Sequence, residues 1–190
     1  KEGDEEIMNL EITGTSEKGR SYYLNGIQDK SLLNLLKSQY ILSSKKEENK
    51  GIKAFKSLEA LQVSLNSDVQ VTAEELGSLC SEIQYFELLT ILKITFDSQQ
   101  SISDERLEIL SNQGLQNLKR LTDLYLSFKC CDGLTDRGLA HLSCEGIQHL
   151  TRLTRLSLDF HSCSYIKDEG LKVLSNQGLQ NLKRLTDLYL

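Results

Sequence analysis

Apolar and polar residues alternate in short segments that recur along the chain. Leu121 opens LTDLYLSF, and the same form returns from Leu89 as LTILKITF, from Leu153 as LTRLSLDF and from Leu185 as LTDLYL. The spacing is 32 residues each time, and Leu58 opens LEALQVSL one step earlier at a spacing of 31. A divergent first copy begins at Ile7 as IMNLEITG and rejoins the pattern at Ile27, Leu32 and Leu35, then at Ile52 and Phe55. Between these two stretches Ser43–Gly51 reads SSKKEENKG, a charged run without apolar side chains that reads as a solvent loop inserted into the first repeat. The segment Leu110–Leu126, LSNQGLQNLKRLTDLYL, returns letter for letter at Leu174–Leu190. That offset of 64 residues points to duplication of a two-repeat block.

Counted from the opening leucine, positions 4, 6 and 8 are apolar, as in Leu124, Leu126 and Phe128. Period two over so short a run is a strand with one buried face. Parallel strands are expected near residues 9–12, 60–63, 91–94, 123–126 and 155–158, with the last strand at the C-terminal edge. Apolar residues then return at Leu134, Leu139 and Leu142, or Ile166, Leu171 and Leu174, with helical spacing between the last two. Thr135-Asp136 and Lys167-Asp168 stand just before that run, where a Thr or Asp accepts from the free N–H groups of a first helical turn. Gly146 and Gly178 interrupt the run, so a first helix is expected to end there. A short second turn then carries Ile147 and Leu150, or Leu179 and Leu182.

One such unit cannot cover its own apolar stripe, whereas stacked copies can, which makes the array a solenoid. Strands stack about 4.8 Å apart and packed helices about 8–10 Å apart. The mismatch bends the stack, with a parallel sheet on the concave side and helices on the convex side. Residues 1–190 are expected to form a single array, with repeats starting near residues 7, 58, 89, 121, 153 and 185. The chain opens on Lys1 and closes inside an alternating segment at Leu190, so it reads as a fragment of a longer array. Self-association through the uncapped C-terminal end is expected.

Cys131–Leu142 reads CDGLTDRGLAHL, Cys163–Leu174 reads CSYIKDEGLKVL, and Gln99–Leu110 reads QQSISDERLEIL without the Cys and Gly. In these residues the chain resembles the leucine-rich repeat proteins, in the cysteine-containing subtype found in F-box-associated substrate receptors. The subtype signature is C-x-x-[IL]-T-D-x-G-L-x-x-L. Its usual repeat is shorter, and the extra residues here lie around SNQGLQNL. The resemblance implies an α/β leucine-rich repeat horseshoe that binds proteins on its concave face, with the repeated cysteine as a small buried apolar group.

Alternation places positions 3, 5 and 7 of each strand on that open face. Position 3 reads Asn9, Ala60, Ile91, Asp123, Arg155 and Asp187 down the stack. Position 5 reads Glu11, Gln62, Lys93, Tyr125, Ser157 and Tyr189, and position 7 reads Thr13, Ser64, Thr95, Ser127 and Asp159. These positions vary while the buried ones repeat. The residues expected to meet a partner are Ile91, Lys93, Asp123, Tyr125, Arg155, Ser157, Asp159, Asp187 and Tyr189. Tyr125 and Tyr189 are the best anchors, since tyrosine offers contact area at low entropy cost. Asp123, Arg155 and Asp187 form an alternating charge ladder that reads first as cross-strand ion pairing.

Composition narrows the function classes. Apolar residues make up 39% of the chain and charged residues 26%, enough for a core and a solvated surface. The net charge of −5 argues against a general nucleic-acid binder, and no apolar run reaches the roughly 18 residues of a membrane span. Five cysteines without framework spacing, and no glycosylation sequon, lead to the expectation of a reducing, intracellular, cytoplasmic home. His161-x-Cys163 and His141-x-x-Cys144 lack a second matching pair, so no metal is expected. Ser157, Asp159 and His161 lie close in sequence, but no nucleophile elbow or oxyanion loop surrounds them, so neither catalysis nor a cofactor is expected. The expected function is protein–protein interaction. The alternatives are substrate recognition for a ubiquitin ligase or other enzyme whose catalytic or adaptor part lies elsewhere, and a structural spacer.

Overall fold

The computed structural model describes residues 10–16, 21–24, 58–65, 71–84, 86, 88–98 and 100–190. Each alternating segment forms a strand: β1 (Leu10–Ser16), β3 (Leu58–Leu65), β4 (Ile91–Thr95), β5 (Asp123–Ser127), β6 (Arg155–Asp159) and β7 (Asp187–Tyr189). A further strand, β2 (Ser21–Leu24), follows β1. The helices are α1 (Ala73–Ile83), α2 (Asp104–Ile109), α3 (Asp136–His141) and α4 (Asp168–Val173). The sheet runs β2-β1-β3-β4-β5-β6-β7. From β3 to β7 all five strands are parallel and alternate with the helices, so the fold is α/β with one open sheet. Ala60, Ile91, Asp123, Arg155 and Asp187 face one another in register, as the repeat spacing requires.

The first repeat departs from the expected parallel order. β1 pairs antiparallel with β3, Leu10 opposite Leu65, and β2 pairs antiparallel with β1. Only four residues, 17–20, join β1 to β2. A parallel neighbour needs a crossover of a dozen residues or more, whereas a link this short closes a hairpin. The residues expected to carry the helical half of that repeat (Ile27, Leu32, Leu35, Ile52 and Phe55), the inserted loop 43–51, and Asn9 lie outside the described residues.

The strand positions that repeat are buried: Leu92 and Ile94, Leu124 and Leu126, Leu156 and Leu158 join one core with Leu107, Leu139 and the leucines beyond each helix. Phe96, Phe128 and Phe160 stack face to face where the strands end, with ring centroids 5.3 and 5.4 Å apart. Phe96 and Phe128 are fully buried, and Phe160, one repeat nearer the sheet edge, is partly buried. Cys131 and Cys163 tuck under this stack and donate to the carbonyls of Phe96 and Phe128 at 3.1 and 3.0 Å. Neither is in a disulfide, and burial raises the pKa of Cys163.

Neighbouring repeats are also joined by polar ladders. Thr90, Thr122, Thr154 and Thr186 precede the strands. The N–H of each of the last three donates to the carbonyl of the threonine one repeat back at 2.8–2.9 Å, and its hydroxyl donates to the same oxygen at 3.0–3.1 Å. At the helix starts, the Asp104 carboxylate accepts from the Thr135 N–H at 2.9 Å and the Thr135 hydroxyl at 2.6 Å. Asp136 accepts from the Lys167 N–H at 2.6 Å in the next repeat. Helices α3 and α4 are thus capped partly from the preceding copy, while Thr135 also accepts from Arg137 N–H within its own turn at 3.2 Å.

This stacking explains the glycine of the motif. A Cβ on Gly170 would stand 2.6 Å from the Asp136 carboxylate, and one on Gly138 would strike the Asp104 carboxylate. One repeat earlier Ala73 begins α1 in place of an aspartate. The position of the glycine is then filled by Arg106, whose Nε donates to the Val71 carbonyl at 3.0 Å.

Beyond α2 and α3 the chain widens into a π-type turn, Leu110–Gly114 and Leu142–Gly146, then tightens into a 3-10 turn, Leu115–Asn117 and Ile147–His149. The expected break at Gly146 and short second turn are both present. After α4 the wide turn Leu174–Gly178 forms, but no 3-10 helix follows it.

Candidate partner-binding face

All nine residues expected to meet a partner lie on the parallel strands β4 to β7 of one sheet. They form two complete rows across it, Ile91–Asp123–Arg155–Asp187 and Lys93–Tyr125–Ser157–Tyr189. Asp159 lies beside Ser127 in a third row. The side chains that alternate with them go into the core, which leaves these residues exposed or half-buried. Ile91 is 41% exposed and Tyr189 63%, both high for apolar or aromatic side chains in a sheet.

Several members are tied to their neighbours. Lys93 Nζ lies 4.8 Å from the Tyr125 ring centroid, a cation–π contact across adjacent strands. Arg155 Nε is ion-paired with the Asp123 carboxylate, as the charge ladder predicts, and the Thr122 hydroxyl lies 2.6 Å from the other Asp123 oxygen. The arginine side chain is 60% exposed, so this pair orders the face more than it stabilises the fold. Among the described residues Asp187 pairs with no cation; the Thr186 hydroxyl lies 2.8 Å from its carboxylate.

The third row is less open than alternation suggests. Ser127 is buried, its hydroxyl donating to Asp97, and the same carboxylate accepts from Lys129 N–H at 3.2 Å. Asp159 takes Lys129 Nζ at 3.2 Å and the backbone N–H of His161 at 3.0 Å. Burial alone would raise the Asp159 pKa, but the His161 N–H and the Lys129 ammonium outweigh it and hold the carboxyl below its ordinary value. The same bond raises the Lys129 pKa. Asp159 therefore orients a turn and a lysine; its contact with His161 is to the backbone, not to the imidazole.

The turns after β4, β5 and β6 share one backbone feature that alternation does not reveal. Ser98, Cys130 and Ser162 have φ of 61°, 57° and 61°, a left-handed conformation that costs a side chain energy. The N–H groups of Ser98 and Cys130 donate to carbonyls one repeat on, at Lys129 and His161. These bonds hold the turns that border the face.

A second group of functional type lies in the helical half. His141 Nδ1 is 3.0 Å from Glu145 Oε1, and His141 Nε2 is 3.9 Å from Glu108 Oε2. His141 and Glu145 are four residues apart, a visible helical pairing, but Glu108 comes from α2, and only the stacking brings it there. Among the described residues no helix is long and apolar enough to cross a membrane. A scan against protein-family models and a search of curated proteins found no match to this chain.

Proposed function

We propose that the chain is a protein-interaction module of the leucine-rich repeat type, a curved solenoid that binds a protein partner on the concave face of its parallel sheet. The observation that carries this reading is the contrast between the two faces of the same strands. The inward rows are Leu or Ile in every parallel repeat from β4 to β6, while the outward rows run Ile91, Asp123, Arg155, Asp187 and Lys93, Tyr125, Ser157, Tyr189. A uniform scaffold thus displays three kinds of side chain in each four-residue row. The face has what a specific interface uses: half-exposed tyrosines, an exposed arginine and an exposed aliphatic side chain. The role is non-catalytic, carried out by rigid display inside the cell.

The test is capture of binding proteins by the chain and by two variants. Tyr125→Ala with Arg155→Ala alters the strand face, and Glu169→Ala with Lys172→Ala alters exposed positions of α4. A specific partner should lose about tenfold or more in affinity for the first variant, the scale of one strong anchor, and keep its affinity for the second. A partner that reads only the α4 variant would place the binding face on the helices.

A further inference from the structure

In its helical half the repeat from Leu58 diverges, residues 78–87 reading SLCSEIQYFE, and of the three later copies one differs from the other two. Residues 109–118 read ILSNQGLQNL and residues 173–182 read VLSNQGLQNL, whereas residues 141–150 read HLSCEGIQHL. Four of the departures, His141, Cys144, Glu145 and His149, introduce side chains of metal-ligating type. Two of them meet Glu108 of the preceding repeat. One ring nitrogen of His141 and one carboxylate oxygen from each of Glu108 and Glu145 all lie within 4.8 Å of one another.

The local hydrogen bonding leaves room for a cation. Glu145 Oε1 accepts from His141 Nδ1 at 3.0 Å, while Glu145 Oε2 is buried without a hydrogen-bond partner among the described residues. His141 Nε2 faces the Glu108 carboxylate at 3.9 Å, too far for a hydrogen bond. A cation between them would be met by both the ring nitrogen and the carboxylate. Ligand atoms each about 2.0–2.2 Å from one zinc ion stand up to about 4 Å apart; His141 Nε2 and Glu108 Oε2 meet this at 3.9 Å, and the widest pair, within 4.8 Å, closes by less than about 1 Å around a shared ion.

We propose that Glu108, His141 and Glu145 form a binding site for a divalent transition-metal ion of the zinc class. One imidazole and two carboxylates favour such an ion over magnesium or calcium, which prefer oxygen ligands alone. Only half-buried side chains line the site, so water completes the coordination. The ion joins α2 to the end of α3 and the turn after it, and acts as a staple across two repeats. It stabilises the stack by mass action, because the three ligands are brought together only in the folded chain.

The test uses substitutions that another repeat already carries. Ala140 is the counterpart of Glu108, Val173 of His141, and Gln113 and Gln177 of Glu145. Glu108→Ala, His141→Val and Glu145→Gln therefore place tolerated residues in the same packing. The reduced, metal-stripped chain is titrated with Zn2+ against a chromogenic chelator, then with Co2+ for its spectrum. One Zn2+ per chain is expected, with affinity falling about tenfold or more in each variant. The Co2+ complex should show no thiolate charge-transfer band, and Zn2+ should raise the melting temperature of the parent chain but not of His141→Val. No Zn2+ binding, binding that survives His141→Val, or a thiolate band from the cysteines would overturn the site.

Discussion

The segments Leu110–Leu126 and Leu174–Leu190 have one sequence and two structures. Leu126 is fully buried and Leu190 is 67% exposed; Leu124 is 2% exposed and Leu188 is 41%. Ser111 is buried and donates to the Leu107 carbonyl at 2.6 Å, while its counterpart Ser175 is exposed and turns to Lys172. The 3-10 turn Leu115–Asn117 has no equivalent after Gly178. The internal copy lies between β4 and β6, whereas the other ends in β7 at the sheet edge. Identical residues thus gain burial and order only from a repeat on each side. The burial of each copy depends on its neighbours, as stacked repeats require.

The phenylalanine stack gives the largest test of that difference. Phe128 has a ring on each side, so Phe128→Ala should cost about 3–5 kcal/mol in denaturant melts. Phe160 is partly buried, with its one stacked ring on the inner side, and Phe160→Ala should cost clearly less. Equal losses would mean that the neighbour on the outer side contributes nothing.

The aspartate ladder gives a smaller effect of the same kind. Asp104→Ala removes the acceptor for the Thr135 N–H and hydroxyl and should cost about 1–2 kcal/mol. Asp168 caps no described helix, so Asp168→Ala should change stability by less than about 0.5 kcal/mol. A large loss at Asp168 would show that these carboxylates act within their own helix rather than across repeats.

The cysteines sharpen the comparison between inside and edge. Burial pushes the Cys80 thiol up to about 12, and it should resist thiol reagents at pH 8 until the chain unfolds. Cys130 is exposed and should label first. Because Cys130 has a left-handed backbone, Cys130→Gly should stabilise the chain by up to about 1 kcal/mol, measured as a higher denaturation midpoint. A loss on that substitution would show that the side chain contributes more than the backbone strain it causes.

Much of the parallel array is legible in the sequence, because a period of two within a period of 32 fixes both the strand faces and their register. The rows from Ile91 to Asp187 and from Lys93 to Tyr189 follow from that alone. The hairpin of β1 and β2 is less legible, since IMNLEITG has the alternation of a strand but carries no sign of direction. The burial of Ser127 escapes alternation because Asp97, which binds it, lies two residues beyond β4 in the preceding repeat. Glu108 and His141 are 33 residues apart and meet only through stacking, so local spacing shows the His141–Glu145 pair alone. The coupling of Asp104 with Gly138 and of Asp136 with Gly170 is written in the motif, but its cause becomes visible only when one copy is laid on the next.

Amide hydrogen exchange followed by NMR, with assigned resonances, tests the stacking most directly. Resonance assignment is needed because peptides from the two identical segments have the same mass. Amides of β5 should exchange only through global opening, and those of β7 faster by at least about tenfold, the ratio expected for a difference of about 1.4 kcal/mol in opening free energy. Equal protection of Leu124–Leu126 and Leu188–Leu190 would contradict the claim that each repeat is ordered by its neighbours.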